Sequence, residues 1–437
     1  MSQLSSVSST ACLTDIDELL PNVRTHGFPE DFSALFRRTE LRLLRNGDDA
    51  VVVFRNKDLV ECAANPYVGN TPFDCQLRRM KFIEPVPGGD GYSSVERFLR
   101  NLVFTSNPPS HASKRPVIAR PLVPKQVPLL APMAKHILKD LIERAVRRGT
   151  VDFMAEVSNR LTVKFWGAQF DMQSAEVDRL SELLNMMAPL FYFTPTREEA
   201  LTADRATGEY LNLVANAVER ALARRPGELL QLMKSGFDVL SRDEKAEGVG
   251  AFIAANIFNG LHTAAVGIGN AVYQLLHHQN AVAQVRATPT LVANAVAEGL
   301  RLSPPFPYTE RYALQDLEIR GVALPKGTSI GMLWGAGNRD PDIYENPDCY
   351  DIFRKQRTEL TFGGGVHICP GRYVARMLMH LTIEGVLAPE LRVALADDHP
   401  AWLPRSPGRQ LEHMAVTVER IASALFEQNS RGRPPIP

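Results

Sequence analysis

The sequence predicts a mainly α-helical protein with a small β region. Three observations carry that prediction. From Val127 to about Gln279, apolar residues recur at spacings of three and four through one segment after another. A long stretch from about Asp243 to Gln279 is apolar on most faces, as expected of a helix buried at the centre of a large domain. Beyond the prolines of "SPPFP" the pattern changes to short alternating runs, the signature of strands.

Taken in order, the chain opens on "MSQLSSVSSTACLTDIDELL", read as a flexible segment over residues 1–20. It has neither a basic start nor an apolar core, so it is not a secretory signal. "AVVVFRNKDLVECAAN" reads as a strand, a turn and a helix, and residues 58–110 as an irregular connection with turn residues at "PVPGGDGY". The helical segments then follow, among them "LLAPMAKHILKDLIERAVRRG" and "AEVDRLSELLNMMAPLF", before the long apolar helix. "TLVANAVAEGLRL" is a further helix that the prolines end. In "YALQDLEIRGVALPKGTSIGML" the alternation and the Pro-Lys-Gly turn predict hairpins. "YVARMLMHLTIEGVL" is helical, and "HMAVTVER" is a weak strand. Length alone would allow two or three domains. With no internal repeat and no linker, the reading is one domain over residues 21–427 and a flexible tail over 428–437.

Lysine plus arginine and aspartate plus glutamate each number 49, so net charge is zero, which argues against nucleic-acid binding through bulk charge. No run of roughly 18 apolar residues suggests a membrane anchor. The five cysteines (Cys12, Cys62, Cys75, Cys349 and Cys369) show no CxxC spacing, which fits neither a disulfide framework nor a zinc site and suits a reducing, cytoplasmic setting.

One cysteine stands apart. In "FGGGVHICPGR" three glycines free the backbone for turns, and Cys369 lies just ahead of a predicted helix, where the helix dipole and unpaired N–H groups favour a thiolate. Such a thiolate suits a metal ligand or a nucleophile; the plainer reading is a buried, inert cysteine. A cysteine hydrolase finds no oriented His-Asp pair or nucleophile elbow to support it.

Phe362, Gly365, Cys369 and Gly371 match, in order and spacing, the haem-binding signature F-x-x-G-x-x-x-C-x-G of the cytochrome P450 family, which the chain resembles over roughly residues 50 to 420. The resemblance implies the cytochrome P450 fold, a haem b cofactor (iron protoporphyrin IX), and Cys369 as axial ligand of its iron. It extends upstream. Glu298 and Arg301 in "EGLR" match the family's E-x-x-R pair, which buttresses the fold, and "GNRDP" resembles its N-R-D-P segment. In "NPPSHASKRP", similar to the start of the family's C helix, His111 and Arg115 match residues that contact a haem propionate; Arg311 and His367 match two further contacts.

The implied activity is that of a haem-thiolate monooxygenase. It would insert one oxygen atom from O2 into a small apolar or aromatic organic substrate, in secondary or specialised metabolism. Electrons would come from separate ferredoxin and ferredoxin-reductase-type donors, since no redox module is fused to the chain. A haem-binding sensor is the reading outside enzymes, opposed by Gly260 and Thr263 on the long helix. The absence of an anchor resembles the soluble bacterial members. Phe82, Tyr92, Phe104, Met187, Leu190, Phe191, Tyr192, Phe193, Phe258 and Phe306 stand where family pockets are lined, and Lys114, Arg120, Arg372 and Arg376 where an acidic donor would dock.

The sequence departs from the family in three places. "FNGLHT" carries Asn259 and His262 where the family has a small residue and an acid, while Thr263 keeps the hydroxyl that helps deliver protons to iron-bound dioxygen. His262 either relays a proton in place of the acid or fills a polar gap. If neither restores proton delivery, the alternative is an atypical haem-thiolate reaction: oxidative coupling, dehydration or peroxide-driven oxidation. Cys349 replaces an arginine that joins the Glu298–Arg301 pair, for which Arg354 or Arg357 stands in. Pro116 lies directly after Arg115, so the helix there is expected to start late or bend.

Overall fold

The computed structural model of the 437-residue chain describes residues 13–421 apart from 30, 39, 48–49, 73, 75–76, 78–91, 194, 356–358 and 398. The longer helices are α1 (Asn56–Ala64), α2 (Ser93–Asn101), α3 (Ser110–Ala119), α4 (Val127–Arg148), α5 (Asn159–Gln169) and α6 (Ser174–Met186). They continue as α7 (Arg197–Ala223), α8 (Glu228–Asp238), α9 (Gly248–His277), α10 (Gln279–Ala287), α11 (Val292–Leu302) and α12 (Arg372–Val386). The strands are β1 (Leu43–Arg45), β2 (Ala50–Val53), β3 (Val68–Asn70), β4 (Thr150–Asp152) and β5 (Thr309–Ala313). The remaining strands are β6 (Leu317–Ile319), β7 (Val322–Leu324), β8 (Ser329–Met332), β9 (Leu391–Leu395) and β10 (Ala415–Arg420).

The helical expectation holds, and α9 lies at its centre, packed against α5, α7, α11 and α12. It is long and apolar enough to cross a membrane by length and composition, yet most of it is buried inside the protein. It starts later than the apolar pattern suggested. Asp243–Lys245 close a separate 3-10 turn, and Gly248 takes φ +84°, a conformation that side-chain-bearing residues rarely adopt.

The strands form a five-stranded sheet in the order β1-β2-β8-β5-β3, a three-stranded sheet β4-β10-β9 and the two-stranded β6-β7. β2 runs parallel to β8, and the other pairs in the five-stranded sheet are antiparallel. The hairpin turn is not at Pro-Lys-Gly. It falls at Arg320 and Gly321, both at positive φ as a two-residue hairpin loop requires, and Arg320 ties it to Asp58 and Glu61 of α1. The Pro325–Gly327 turn joins β7 to β8, which pair with different partners.

Three local expectations are corrected. Residues 13–20, expected to be flexible, contain the helical turn Ile16–Leu19, capped by Asp15, with Ile16 and Leu20 buried. The expected C-terminal tail lies outside the described residues. The stretch read as irregular contains β3 and α2. The caps of α2 come from distant residues: Asp204 of α7 accepts from Val95 N–H (2.9 Å), and the Asn256 side chain of α9 donates to Asn101 O (2.9 Å). α3 starts before Arg115, not after it, and carries Pro116 in its interior, so His111 and Arg115 share one helix.

Beneath this scaffold Arg301 and Glu298 are both buried and doubly bonded (2.8 and 2.7 Å). Arg354 supplies the third member, its Nε donating to Glu298 Oε1 at 3.0 Å, while its other donors reach the Glu345, Asn346 and Cys349 carbonyls. Arg357 lies outside the described residues. These hydrogen bonds hold the Glu298 carboxyl below its usual pKa against the opposing effect of burial. Removing Arg354 leaves Glu298 paired with Arg301 but strands buried acceptors on Glu298 and on the Glu345, Asn346 and Cys349 carbonyls, so Arg354→Met should lower unfolding free energy by about 3 kcal/mol, read by urea denaturation. Asp204→Ala should weaken the remote cap of α2 by about 1 kcal/mol, seen as roughly fivefold faster amide exchange over 93–101 and not in α9.

Candidate active site

The cysteine loop is shaped by what surrounds it. Gly365 has φ +63°, and a Cβ there would overlap the Ala63 carbonyl at the end of α1. Cys369 N–H donates to Phe362 O at 2.9 Å, closing the loop. From below, Asn338 of the "GNRDP" segment accepts from Leu360 N–H at 2.6 Å and donates to Thr361 Oγ1 at 3.1 Å. Asn338 O in turn accepts from Arg301 at 2.9 Å, so the loop rests on the buried ion pair.

Cys369 lies deep yet keeps accessible surface, the mark of a residue that lines an internal cavity. Burial raises its thiol pKa; the N–H groups of Gly371 and Arg372 and the charges of Arg372 and Arg115 act the other way. A second deep, accessible surface runs along α9. Between Val249 and Leu276 every residue is buried except Asn256, Asn259, Gly260, His262 and Thr263. Four of these recur at spacings of three and four, so they form one stripe, with His262 at its flank.

His111, Arg115, Arg311 and His367 come together beside the loop. The rings of His111 and His367 are 4.2 Å apart, Arg115 donates to Ile368 O, and Arg311, on β5, is buried. All four are expected to contact haem propionates, a role that suits cations. The two histidines are not charged: burial, reinforced by Arg115 and Arg311, drives His111 down to about 4 and His367 to about 3. Burial also lowers Arg311 to about 10, which leaves it charged. No carboxylate pairs with Arg115 or Arg311 among the described residues. Two desolvated guanidinium groups without a counter-ion are costly, and that arrangement fits a bound group carrying carboxylates. A thiol, two unpaired arginines and two imidazole N–H donors are a donor set that fits haem.

Asn70, at the end of β3, was missed by the sequence reading. Its Oδ1 accepts from Arg311 and its Nδ2 donates to His367 Nδ1 at 2.9 Å, which leaves the His367 proton on Nε2. Asn107 fixes Asn70 in turn through two 2.8 Å bonds to its backbone. Nothing local in "YVGNTP" signals this, because Arg311 and His367 are more than two hundred residues away.

The comparisons agree with this geometry. A family model, Cytochrome P450, matches residues 163–389, which is 227 of the 437 residues. The chain belongs to the cytochrome P450 family. Membership makes it an oxidoreductase, a haem-thiolate monooxygenase. The 6-deoxyerythronolide B hydroxylase of Saccharopolyspora erythraea is 26% identical over 330 residues, 74% of this P450 and 80% of the relative. Nocardicin C N-oxygenase of Nocardia uniformis is 28% identical over 322 residues, 72% and 79% of the two chains. Among solved structures CalO2 superposes with a TM-score of 0.79 at 24% identity, covering 93% of this P450 and all of CalO2. A P450BioI structure in complex with a fatty acid-ligated acyl carrier protein gives 0.76 at 22% identity, covering 89% and 98%.

The aromatic residues separate in this P450. Phe191 lies parallel to both Phe258 (5.7 Å, 10°) and His262 (5.4 Å, 9°) and tilts against Phe306 at 5.7 Å. Met187 is fully buried and Leu190 partly so. Tyr192 instead lies under Arg405 and Phe193 on Phe28, while Phe104 is at the surface. Tyr92 is half-buried, and Phe82 lies outside the described residues. Of the cations expected at the docking face, Arg120 is exposed. Arg376 pairs with Glu359, Arg372 folds back onto Cys369 O and Tyr373, and Lys114 is half-buried beside Glu244. Val366, in the cysteine loop, is 61% exposed.

Asn70→Leu should release Arg311 and His367, and haem transfer from the purified enzyme to apomyoglobin should become at least about tenfold faster. Gly365→Ala should give protein with little bound haem, read from the ratio of Soret to protein absorbance.

Proposed function

We propose that the enzyme binds haem b through Cys369 and inserts one atom of O2 into a small apolar, ring-bearing substrate. The observation that carries the proposal is the deep, accessible thiol just ahead of α12, a helix packed against α9, which bears the accessible stripe. When bound, haem with a thiolate ligand supplies the activation of O2 and its O–O cleavage. The chain's own residues do the rest. Arg115 and Arg311 neutralise the propionates, while His111 and His367 donate N–H bonds to them. Phe191 and Phe306, with the buried Phe258 behind Phe191, give this side an apolar aromatic wall that favours a flat, apolar guest. Thr263 offers a hydroxyl, which at rest donates to Asn259 O one turn back.

His262 does not replicate a carboxylic acid. Burial lowers its pKa to about 4. Its imidazolium is then only about one part in a thousand at pH 7. Where the family has a carboxylate, the site therefore carries a neutral ring, and that loss of charge beside Thr263 supports a second reading of the same site: oxidative coupling, dehydration or peroxide-driven oxidation, in which proton delivery matters less. We place the enzyme in secondary metabolism because its relatives include a 6-deoxyerythronolide B hydroxylase and a nocardicin C N-oxygenase. A cytoplasmic setting and separate ferredoxin-type donors complete the proposal. The docking surface is the cysteine-loop face, through Val366 and Arg120.

The reduced, carbon-monoxide-bound spectrum should show a Soret band near 450 nm, the position that thiolate ligation gives. Cys369→Ala should abolish it; a band unchanged by that substitution would overturn Cys369 as the ligand. With 18O-labelled dioxygen and surrogate redox partners, one labelled atom in the product establishes monooxygenation, an unlabelled product with dioxygen consumed indicates oxidative coupling, and product formed without dioxygen uptake, or only on adding peroxide, indicates dehydration or peroxide-driven oxidation.

A further inference from the structure

The cysteine side of the protein holds a carboxylate that the site described above leaves unused. Glu359 lies three residues before Phe362, and its side chain is only 10% exposed. It accepts a hydrogen bond from the Arg376 guanidinium, which is 37% exposed. Arg376 stands on α12, one turn beyond Arg372, and its guanidinium carbon lies 5.1 Å from the centre of the Phe362 ring. The Phe362 carbonyl in turn accepts Cys369 N–H at 2.9 Å. A connected path therefore runs from a buried carboxylate, through a guanidinium and an aromatic residue, to the backbone of the cysteine.

Arg115 and Arg372 also reach the loop, each on a backbone carbonyl, Ile368 O and Cys369 O. Neither has a carboxylate partner among the described residues, whereas Arg376 has one. Reducing a haem iron adds one negative charge to the centre that it forms with a thiolate. A positive charge nearby favours that electron, and it acts strongly where little water intervenes. An uncompensated guanidinium on the Phe362 ring would therefore raise the reduction potential. An ion pair at the same place carries no net charge.

We propose that Glu359 is a positioning residue for the monooxygenase reaction: it holds Arg376 against Phe362 and cancels its charge, and so keeps the reduction potential of the haem-thiolate centre low. This inference rests on the P450 reading of the site. Arginine stays charged at any working pH, so the balance is controlled from the carboxylate side. Burial pushes Glu359 up to about 7 against the pull of Arg376, so at about pH 8 it is roughly nine-tenths ionised. Glu359→Gln removes the negative charge, while its amide oxygen still accepts from Arg376.

The test is a spectroelectrochemical titration of the haem-loaded enzyme at about pH 8. Glu359→Gln should shift the equilibrium toward the reduced form at least about threefold, which is about 28 mV for one electron. Adding Arg376→Gln to it should bring the constant back to within about 1.5-fold of the wild type, because two amides again carry no net charge. A role confined to holding the fold gives the opposite order, with the second substitution adding to the first. No rise in Glu359→Gln, or a double variant that stays shifted, would overturn the inference. Haem retention decides the remaining cases. If Glu359→Gln alone loses haem and the double variant keeps it at the wild-type potential, the inference stands, since neutral side chains can replace a buried ion pair. Loss of haem from both variants overturns it. The carbon monoxide spectrum of the wild type separates these failures from failure of the haem-thiolate reading, which would remove the red-shifted band there as well.

Discussion

The cysteine loop depends on Arg301. Every donor of this side chain is used inside the protein: two go to Glu298, and the others to the carbonyls of Asn338, Pro347 and Cys349. Through Asn338 it fixes Leu360 and Thr361, and through them Phe362, whose carbonyl receives Cys369 N–H. A buried ion pair is weak evidence for stability, since its desolvation opposes its attraction. Its value here is directional. Five fixed donors leave the meander after Asn338 one way to lie, and the loop inherits that position. Glu298 keeps its charge because two guanidinium groups and the Asp351 N–H all point at it.

Much of this was legible in the sequence, and the reason is local. The haem signature, the E-x-x-R pair and the length of α9 each occupy one contiguous stretch, so spacing alone exposes them. The same holds for His111 and Arg115, one turn apart on α3. What was hidden depends on residues far apart. Asn70 has no motif; it matters only because the fold brings it to Arg311 and His367. The caps of α2 come from α7 and α9, so its own residues read as a connection. The Pro-Lys-Gly turn was correctly seen as a turn, but pairing is set by the sheet, which gives β7 and β8 different neighbours. The choice between Arg354 and Arg357 also needed geometry, since both lie within reach along the sequence.

Charge explains how the two halves of the site differ. On the cysteine side, burial strips the protons from His111 and His367 but leaves Arg115 and Arg311 positive. Two fixed charges remain, the number that two propionates would neutralise, with two neutral N–H donors to complete their hydrogen bonding. Loading then turns a desolvation penalty into attraction, and because only the folded chain assembles these four residues, ligand binding and folding stability are linked. On the α9 side no such fixed charge stands beside Thr263. Burial holds His262 neutral, and the Thr263 hydroxyl is directed at Asn259 O. A pocket built this way recognises a guest by ring stacking. It depends on water or the guest itself for any proton beyond the one Thr263 carries. The cofactor side is therefore specified by electrostatics and the substrate side by shape, which is why the first matched a family pattern residue by residue and the second did not.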